Sequence, residues 1–414
     1  MTRFRITAAA CLALTAACGG GDDRPQEGQR GVARANTPGG VEPYWRDERV
    51  LTREELDRGR LDNTWERVVQ LDPWTAGDST ANPESWDQID ARVVNGRPVH
   101  LPIYGDVSGP SVLRIQVLLD RALFSPGMID GRWGKNTAKA VYWLQRREGL
   151  PATARVDSAT FARLAQLAGT PRELVRAHTL TEEDVKGPFV DIPEGDGDEI
   201  YRIAEMECTC YESLSEKLSE TFHASPDLLR KLNPGVELDS LKAGQTIQVP
   251  HVRDPDMAPA GKIARLEVSG EGSYVHALDA DGRILYHFPS TLGSSYDPSP
   301  QGEFRIVSVT EDPWWHYQPA ILAHVPSDKP DAKIPPGPNN AVGLVWMDLS
   351  VPHYGIHGTK SPETIGYATS AGCVRLTNWD ALFLGRRVEN GTAVSFRDTR
   401  SAGEDAAPGT GGRG

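Results

Sequence analysis

Near the C-terminal end of this 414-residue chain, His357 and Cys373 stand with 15 residues between them, in the strings Tyr-Gly-Ile-His357-Gly-Thr and Ser370-Ala371-Gly372-Cys373-Val374-Arg375-Leu376. A thiol is a nucleophile as its thiolate, and a neighbouring imidazole can take its proton to form an activated pair. Gly372 lets the backbone approach closely, so the amides around Gly372 and Cys373 can face the oxyanion of a tetrahedral intermediate, with Ser370 supporting the loop. Arg375, two residues on, projects from the same side of an extended chain as Cys373. Its guanidinium can hold a carboxylate or brace the loop, and its charge favours the thiolate. To act as a base, His357 must keep one tautomer, and a backbone carbonyl or the Ser370 region would fix it, since no Asp or Asn near the motif is an obvious third member. Asp380 reads as a helix or loop brace. With ten histidines in the chain, spacing alone does not single out this pair.

The segments that must position these residues differ in texture. From 262 to 397 the chain runs in short alternating stretches, such as Ala264 to Val268, Ser273 to Leu278 and Glu303 to Val307, broken by Asp281-Gly282 and Pro300-Gln301-Gly302. That pattern predicts an all-β sheet or sandwich with little helix. From 112 to 168 the period is helical: Leu113, Val117, Leu118 and Ala122 share one face, Ala138, Val141, Tyr142 and Leu144 a second, and Phe161, Leu164 and Leu167 a third. Between the first two, Asp130-Gly131-Arg132-Trp133-Gly134 makes a tight loop, after which Asn136 or Thr137 can cap the next helix. From 201 to 252, Tyr201 to Ala204 alternates like a strand, Leu214 to Phe222 and Asp227 to Leu232 read as short helices, and Gln245 to Val249 as a closing strand. Residues 169–200 read as a linker, and 45–111 carry no assignable role.

Both ends are different again. Arg3 and Arg5, an apolar stretch from Ile6, and small residues before Cys18 have the layout of a secretory signal over 1–17, too short for a stable spanning helix. Residues 19–44 read as a flexible tether and 398–414 as a disordered tail. No apolar run of membrane-spanning length occurs beyond the N-terminus. Lys+Arg 44 against Asp+Glu 57 gives a net charge of −13, which argues against a nucleic-acid partner, since phosphate binding depends on clustered cations. Of five cysteines, Cys11 would leave with the signal, Cys208 and Cys210 could be bonded to each other or reduced, and Cys373 stands alone. An unpaired cysteine in an exported chain is a candidate reactive thiol.

Read as whole strings, these segments resemble known families. The catalytic-end motif, with Ser-Pro-Gln-Gly-Glu-Phe (299–304), Pro-Pro-Gly-Pro-Asn (335–339) and the closing Gly-Thr-Ala-Val (391–394), resembles the L,D-transpeptidases over about 135 residues. Residues 112–168 resemble a three-helix peptidoglycan-binding domain, on the string from Asp130 to Leu164. Leu228 to Pro250 resembles the C-terminal half of a LysM module, a βααβ fold, although the usual Gly-Asp-Thr-Leu turn is replaced by Glu207-Cys208-Thr209-Cys210-Tyr211. The run to Cys18 resembles a lipobox, with Thr15 where Leu is usual. Together they imply a multidomain chain: a mainly-β catalytic sandwich preceded by a three-helix peptidoglycan-binding domain and a small LysM-like module.

The resemblance implies a mechanism. The Cys373 thiolate attacks the L-centre carbonyl of a tetrapeptide stem, D-Ala leaves with a proton from His357, and an amine takes up the acyl group in a 3→3 cross-link or protein attachment. No metal or organic cofactor is implied, and the partners are peptidoglycan and, through a lipidated Cys18, a membrane. Location would be the periplasm or cell envelope. The family often has a histidine before the Gly-Cys pair, and here Ala371 stands there; His353 is a candidate substitute, although an outward-facing strand-end role suits it better. His276, His287, His316 and His324 are assigned surface or structural roles, with His316 and Trp314-Trp315 as candidate groove lining. Two competing readings are a carboxypeptidase or amide hydrolase using the same acyl-enzyme, and a wall-binding lipoprotein whose catalytic unit has decayed.

Overall fold

The three apolar stripes become three helices. In the computed structural model, which describes residues 83–194, 198–294, 297–321 and 329–399, a short helix α1 (Ala91–Gly96) precedes α2 (Pro110–Arg121), α3 (Lys135–Arg147) and α4 (Ser158–Leu167). Pro110 pre-sets the first turn of α2, and the Asp157 side chain caps α4 by accepting from the Thr160 N–H. Leu113, Val117, Leu118, Val141, Leu144 and Leu164 are all buried in one core, each worth ~1.5–3 kcal/mol of transfer free energy. Asn136 does not cap α3 as expected, nor does Thr137. Gly134 holds the cap position without a side-chain bond, while Asn136 donates to the Ile365 carbonyl 2.8 Å away and so satisfies a buried acceptor. The expected leader, Cys18, tether, residues 45–82 and the tail from 400 onward lie outside the described residues.

After α4 comes a β-strand, β1 (Val175–Thr179), in the stretch expected to be a linker. It pairs antiparallel with β2 (Thr246–Pro250), Val175 opposite Pro250 and Thr179 opposite Thr246. Between them lie α5 (Glu182–Val185), α6 (Glu199–Ala204), α7 (Leu214–Thr221) and α8 (Pro226–Leu232). The strand expected at Tyr201 to Ala204 is therefore α6, and the first strand of this unit is β1. Ile203 fits a helix because it packs, with Ile200 and Ala204, against Ile192 and Ile334, a one-sided contact that four alternating residues cannot distinguish from a strand. Ser213 and Ser225 cap α7 and α8, and Leu218, Leu228, Leu229, Ile247 and Val249 join the core of the helical unit. Cys208 and Cys210 are joined in a disulfide.

The remaining strands are β3 (Arg265–Ser269), β4 (Tyr274–Leu278), β5 (Ile284–Pro289), β6 (Gly302–Glu311), β7 (Trp315–Tyr317), β8 (Ala332–Ile334), β9 (Val345–Leu349), β10 (Gly355–His357), β11 (Val374–Arg375) and β12 (Ala393–Arg397), with α9 (Asn378–Gly385) between the last two. Eight form one sheet in the order β11-β10-β9-β6-β12-β3-β4-β5. Isolated bridges from Thr291 to Arg375 and from Gly293 to Ser370 bring the chain after β5 back to β11, so the sheet curls upon itself. Leu266, Val275, Ile306, Met347, Ile356, Val374 and Val394 fill the space enclosed, with Phe383 and Leu384 of α9.

Buried polar contacts join the units. Arg253, after β2, places Nη1 2.7 Å from Asp120 of α2 and Nη2 2.5 Å from Asp380 of α9. His223 adds an Nδ1 contact to Asp120 at 2.9 Å, and the Ser125 hydroxyl donates to Asp380. Asp380 is thus the brace expected of it. Lys139 of α3 donates to the Ser273 carbonyl, and Trp143 meets His276 edge-on at 4.6 Å. His276 and His287 are buried and share a 2.9 Å hydrogen bond, so both are structural, whereas His316 is exposed and His324 lies outside the described residues.

Candidate active site

Strand register brings the predicted residues together. β10 runs antiparallel to β9 and parallel to β11, with His357 opposite Arg375 and Ile356 opposite Val374. Continuing that register sets Gly355 beside Cys373, so His357, Arg375 and Cys373 leave the same face of the sheet. One strand over and two residues along, the Cα atoms of His357 and Cys373 are separated by ~8 Å, a span their side chains can cross. Both line a single cleft of about 740 Å³, whose walls include Trp314, Trp315, His316, Tyr317, Trp346, His353, Ser370 and Ala371. A larger cleft, about 900 Å³, beside Arg121, His251, Trp379 and Arg386 contains neither.

His357 is almost fully buried, stacked on Trp346 at 5.3 Å, and its Nδ1 lies 2.7 Å from the Gly358 carbonyl. A carbonyl only accepts, so Nδ1 carries the proton and Nε2 is the unprotonated nitrogen of the neutral ring. Of the two anchors expected for the tautomer, the backbone carbonyl is the one present. Burial, then the neighbouring Arg375, push the His357 pKa down to about 3, against smaller support from the Gly358 and Val342 carbonyls. The Cys373 thiol donates to the His353 carbonyl at 3.7 Å, not to His357. Burial raises its pKa above the ordinary value, while the Gly355 amide and Arg375 work in the opposite direction. The free site is therefore a neutral thiol beside a neutral imidazole. Arg375 favours the thiolate as expected, but desolvation outweighs it.

The oxyanion side is equally specific. Gly372 has φ +97°, and a Cβ there would stand 2.8 Å from Tyr354 Cε1, so only glycine fits. Its carbonyl accepts from the Ser299 hydroxyl at 2.7 Å, and Ser370 Oγ donates to the Cys373 carbonyl at 2.5 Å. With those carbonyls tied back, neither the Gly372 nor the Cys373 N–H enters a turn, loop or side-chain bond among the described residues, leaving both amides as available donors. Arg375 Nε is buried without a hydrogen-bond partner among them. That orphaned donor at a cleft wall suits an incoming carboxylate. His353 is exposed and contributes its carbonyl, not its ring, to the thiol. Among the described residues no cluster of three or more His, Cys, Asp or Glu is arranged to hold a metal ion, and no helix is long and apolar enough to cross a membrane.

Residues 264–395 match the L,D-transpeptidase catalytic domain family, and residues 108–164 match a peptidoglycan binding domain. YkuD of Bacillus licheniformis, which carries the name L,D-transpeptidase, is 33% identical over 181 residues, covering 44% of this chain and 92% of that protein. The chain belongs to the L,D-transpeptidase family. YkuD of Bacillus subtilis is 30% identical over 179 residues, 43% of this chain and 90% of that one. Residues 123–326 of an L,D-transpeptidase from Xylanimonas cellulosilytica align over 73% of this chain and all of that one, at 15% identity and a TM-score of 0.32. This transpeptidase is a peptidoglycan enzyme carrying a peptidoglycan binding domain, and a cell-wall substrate places its work outside the cytoplasm.

Several residues around the transpeptidase site were not legible beforehand. Trp346 stacks on the imidazole, Tyr354 walls the glycine, and the Gly355 amide donates toward the sulfur and favours its thiolate. Asn378, at the start of α9, reaches back to the segment after His357. Gly355 and Gly358 were visible as glycines on either side of Ile356-His357, the one available signal that something packs closely there.

Proposed function

We propose that Cys373 is the nucleophile and His357 the general acid and base of a peptidoglycan L,D-transpeptidase reaction. The observation that carries this is their shared cleft: His357, its Nδ1 proton fixed on the Gly358 carbonyl, lines the same space as Cys373 and Arg375. Proton transfer from the thiol to Nε2 accompanies attack of sulfur on the carbonyl of the third, L-centred stem residue. The Gly372 and Cys373 amides receive the oxyanion, with Ser370 holding the loop. The C–N bond to D-Ala then breaks, the imidazolium protonates the leaving amine, and a thioester remains on Cys373. An acceptor amine attacks the thioester, His357 takes its proton, and the thiolate departs, giving a 3→3 cross-link or a linkage to protein. Arg375 holds a stem carboxylate.

The same reading includes export and lipid attachment at Cys18, supported by the cationic, apolar and small-residue layout of 1–18. It also treats residues 201–252, which β1 precedes and closes, as a LysM-like module, which with the helical domain would raise the local concentration of wall strands at the cleft. The test is incubation of the full chain with disaccharide tetrapeptide and mass analysis of the products. Cross-linked dimers formed with loss of D-Ala support transfer. Monomeric tripeptide alone assigns hydrolysis, and undiminished turnover by Cys373→Ala removes the nucleophile from its role.

A further inference from the structure

The tautomer of His357 depends on one peptide unit, the one joining Gly358 to Thr359. Its carbonyl oxygen accepts from His357 Nδ1 at 2.7 Å. Its N–H, at the other end of the same plane, donates to Asn378 Oδ1 at 3.1 Å. A trans peptide fixed at both ends cannot rotate, and a hydrogen bond at one end polarises the other. Asn378 is therefore joined to the imidazole through a single rigid group. Gly358 is glycine because of it: a Cβ there would stand 2.2 Å from Asn378 Oδ1. The same oxygen also accepts from the Leu344 N–H at 3.1 Å.

Part of what aims the Asn378 amide lies outside the catalytic domain. Its Nδ2 donates to Glu220 Oε1 at 3.0 Å and Oε2 at 3.1 Å, and to the Pro338 carbonyl at 3.2 Å. Glu220 is on α7, in the unit closed by β1 and β2 that precedes the large sheet; it is buried, and the Tyr211 hydroxyl donates to its Oε2 at 3.3 Å. An acceptor there fixes which end of the amide is oxygen, since flipping Asn378 would set Nδ2 against two N–H donors. A carboxyl buried in this way needs a reason beyond stability, because burial is costly for the group.

We propose that Glu220 is a positioning residue for the catalytic imidazole, acting through Asn378 and the Gly358–Thr359 peptide, so that the preceding module completes the active site of the catalytic domain. This rests on His357 being the base. Burial pushes the Glu220 pKa up to about 8, so near pH 7 the group is largely the neutral acid, for which glutamine is the isostere.

The experiment follows thioester formation on Cys373 of the full chain by intact mass in single turnover with disaccharide tetrapeptide. Glu220→Ala is expected to slow acylation about 10- to 100-fold while the apparent affinity for the donor moves by no more than about threefold, as for a lost orientation of the base. Glu220→Gln is expected to restore the rate to within about threefold of wild type, a rescue that a general packing defect would not show. A folded Glu220→Ala protein that acylates at the wild-type rate, or that loses affinity alone, overturns the proposal. If Glu220→Ala does not fold, Glu220→Asp, which withdraws the carboxyl by one methylene, reads the same chain: a slowed rate at unchanged affinity supports it, an unchanged rate overturns it. His357→Asn separates the two layers. Wild-type acylation by His357→Asn removes the base and the proposal together, whereas a silent His357→Asn beside a normal, folded Glu220→Ala removes Glu220 only.

Discussion

The electrostatics of the free site predict how its sulfur should react with a small electrophile. His357 is held down to about 3, while burial raises the Cys373 thiol above its ordinary range, so in the free site the proton belongs on sulfur. Even an ordinary cysteine, at about 8.5, would hold its proton against such an imidazole by several kcal/mol, and burial of the Cys373 sulfur widens that gap. At pH 7 an ordinary cysteine is about a few per cent thiolate, and burial lowers that fraction for Cys373. The perturbation is pH and the assay is alkylation of the free full chain by iodoacetamide, with Cys373→Ala as the blank. The rate should be slower at pH 7 than that of an unperturbed cysteine and should climb about tenfold per unit to beyond pH 9, without a plateau on the acid side. Arg375→Met should move that curve to still higher pH, since the guanidinium is one of the groups that favours the thiolate. Acylation by substrate should not follow this curve, because the substrate's oxyanion and carboxylate arrive with the proton transfer. A flat rate between pH 5 and 8 would show a preformed thiolate–imidazolium pair and refute the reasoning.

Other consequences follow from the same contacts. Arg253→Met leaves Asp120 and Asp380 buried without their cation, and a loss of ~3–5 kcal/mol in urea unfolding is expected, largely recovered by adding Asp120→Asn and Asp380→Asn; a loss that persists in the triple variant would count against the ion-pair account. Gly372→Ala should fold yet lose most acylation, because its φ of +97° costs ~1–2 kcal/mol for a residue with a Cβ and the added methyl would displace Tyr354; wild-type acylation by this variant would dismiss the glycine requirement. Stability should fall on acidification: the unfolded chain protonates His276 near 6.5 whereas the folded one resists to about 3, so ~2 kcal/mol is lost from pH 6.5 to 5 for this histidine, with more from His287 and His357, and a pH-independent urea midpoint over that interval would contradict it.

How much of this was written in the sequence depends on the range over which each interaction acts. The helical stripes, the alternating strands and the His357 to Cys373 string are local patterns, and each corresponds to an observed element or to a shared cleft. Asn378 shows where local reading stops. It follows Thr377 at the start of α9, where an Asn suggests a cap, but Thr377 does the capping by accepting from the Asp380 N–H, and Asn378 is turned inward. Its partner Glu220 is 158 residues away on another unit. Periodicity reports which face of an element is buried, not which polar atom waits on the other side, so such a pair leaves no trace in spacing. The misplaced first strand has the same origin. Val175 to Thr179 and Tyr201 to Ala204 are both brief alternations, and only β2, 71 residues beyond Val175 at its nearest end, decides between them by pairing with the former. The glycines were the one local witness to distant contacts: Gly358 and Gly372 mark where a side chain from elsewhere, Asn378 or Tyr354, occupies the space a Cβ would need. Reading a catalytic motif's glycines as imprints of unseen neighbours would have pointed to a hidden support behind His357, though not to the module that supplies it.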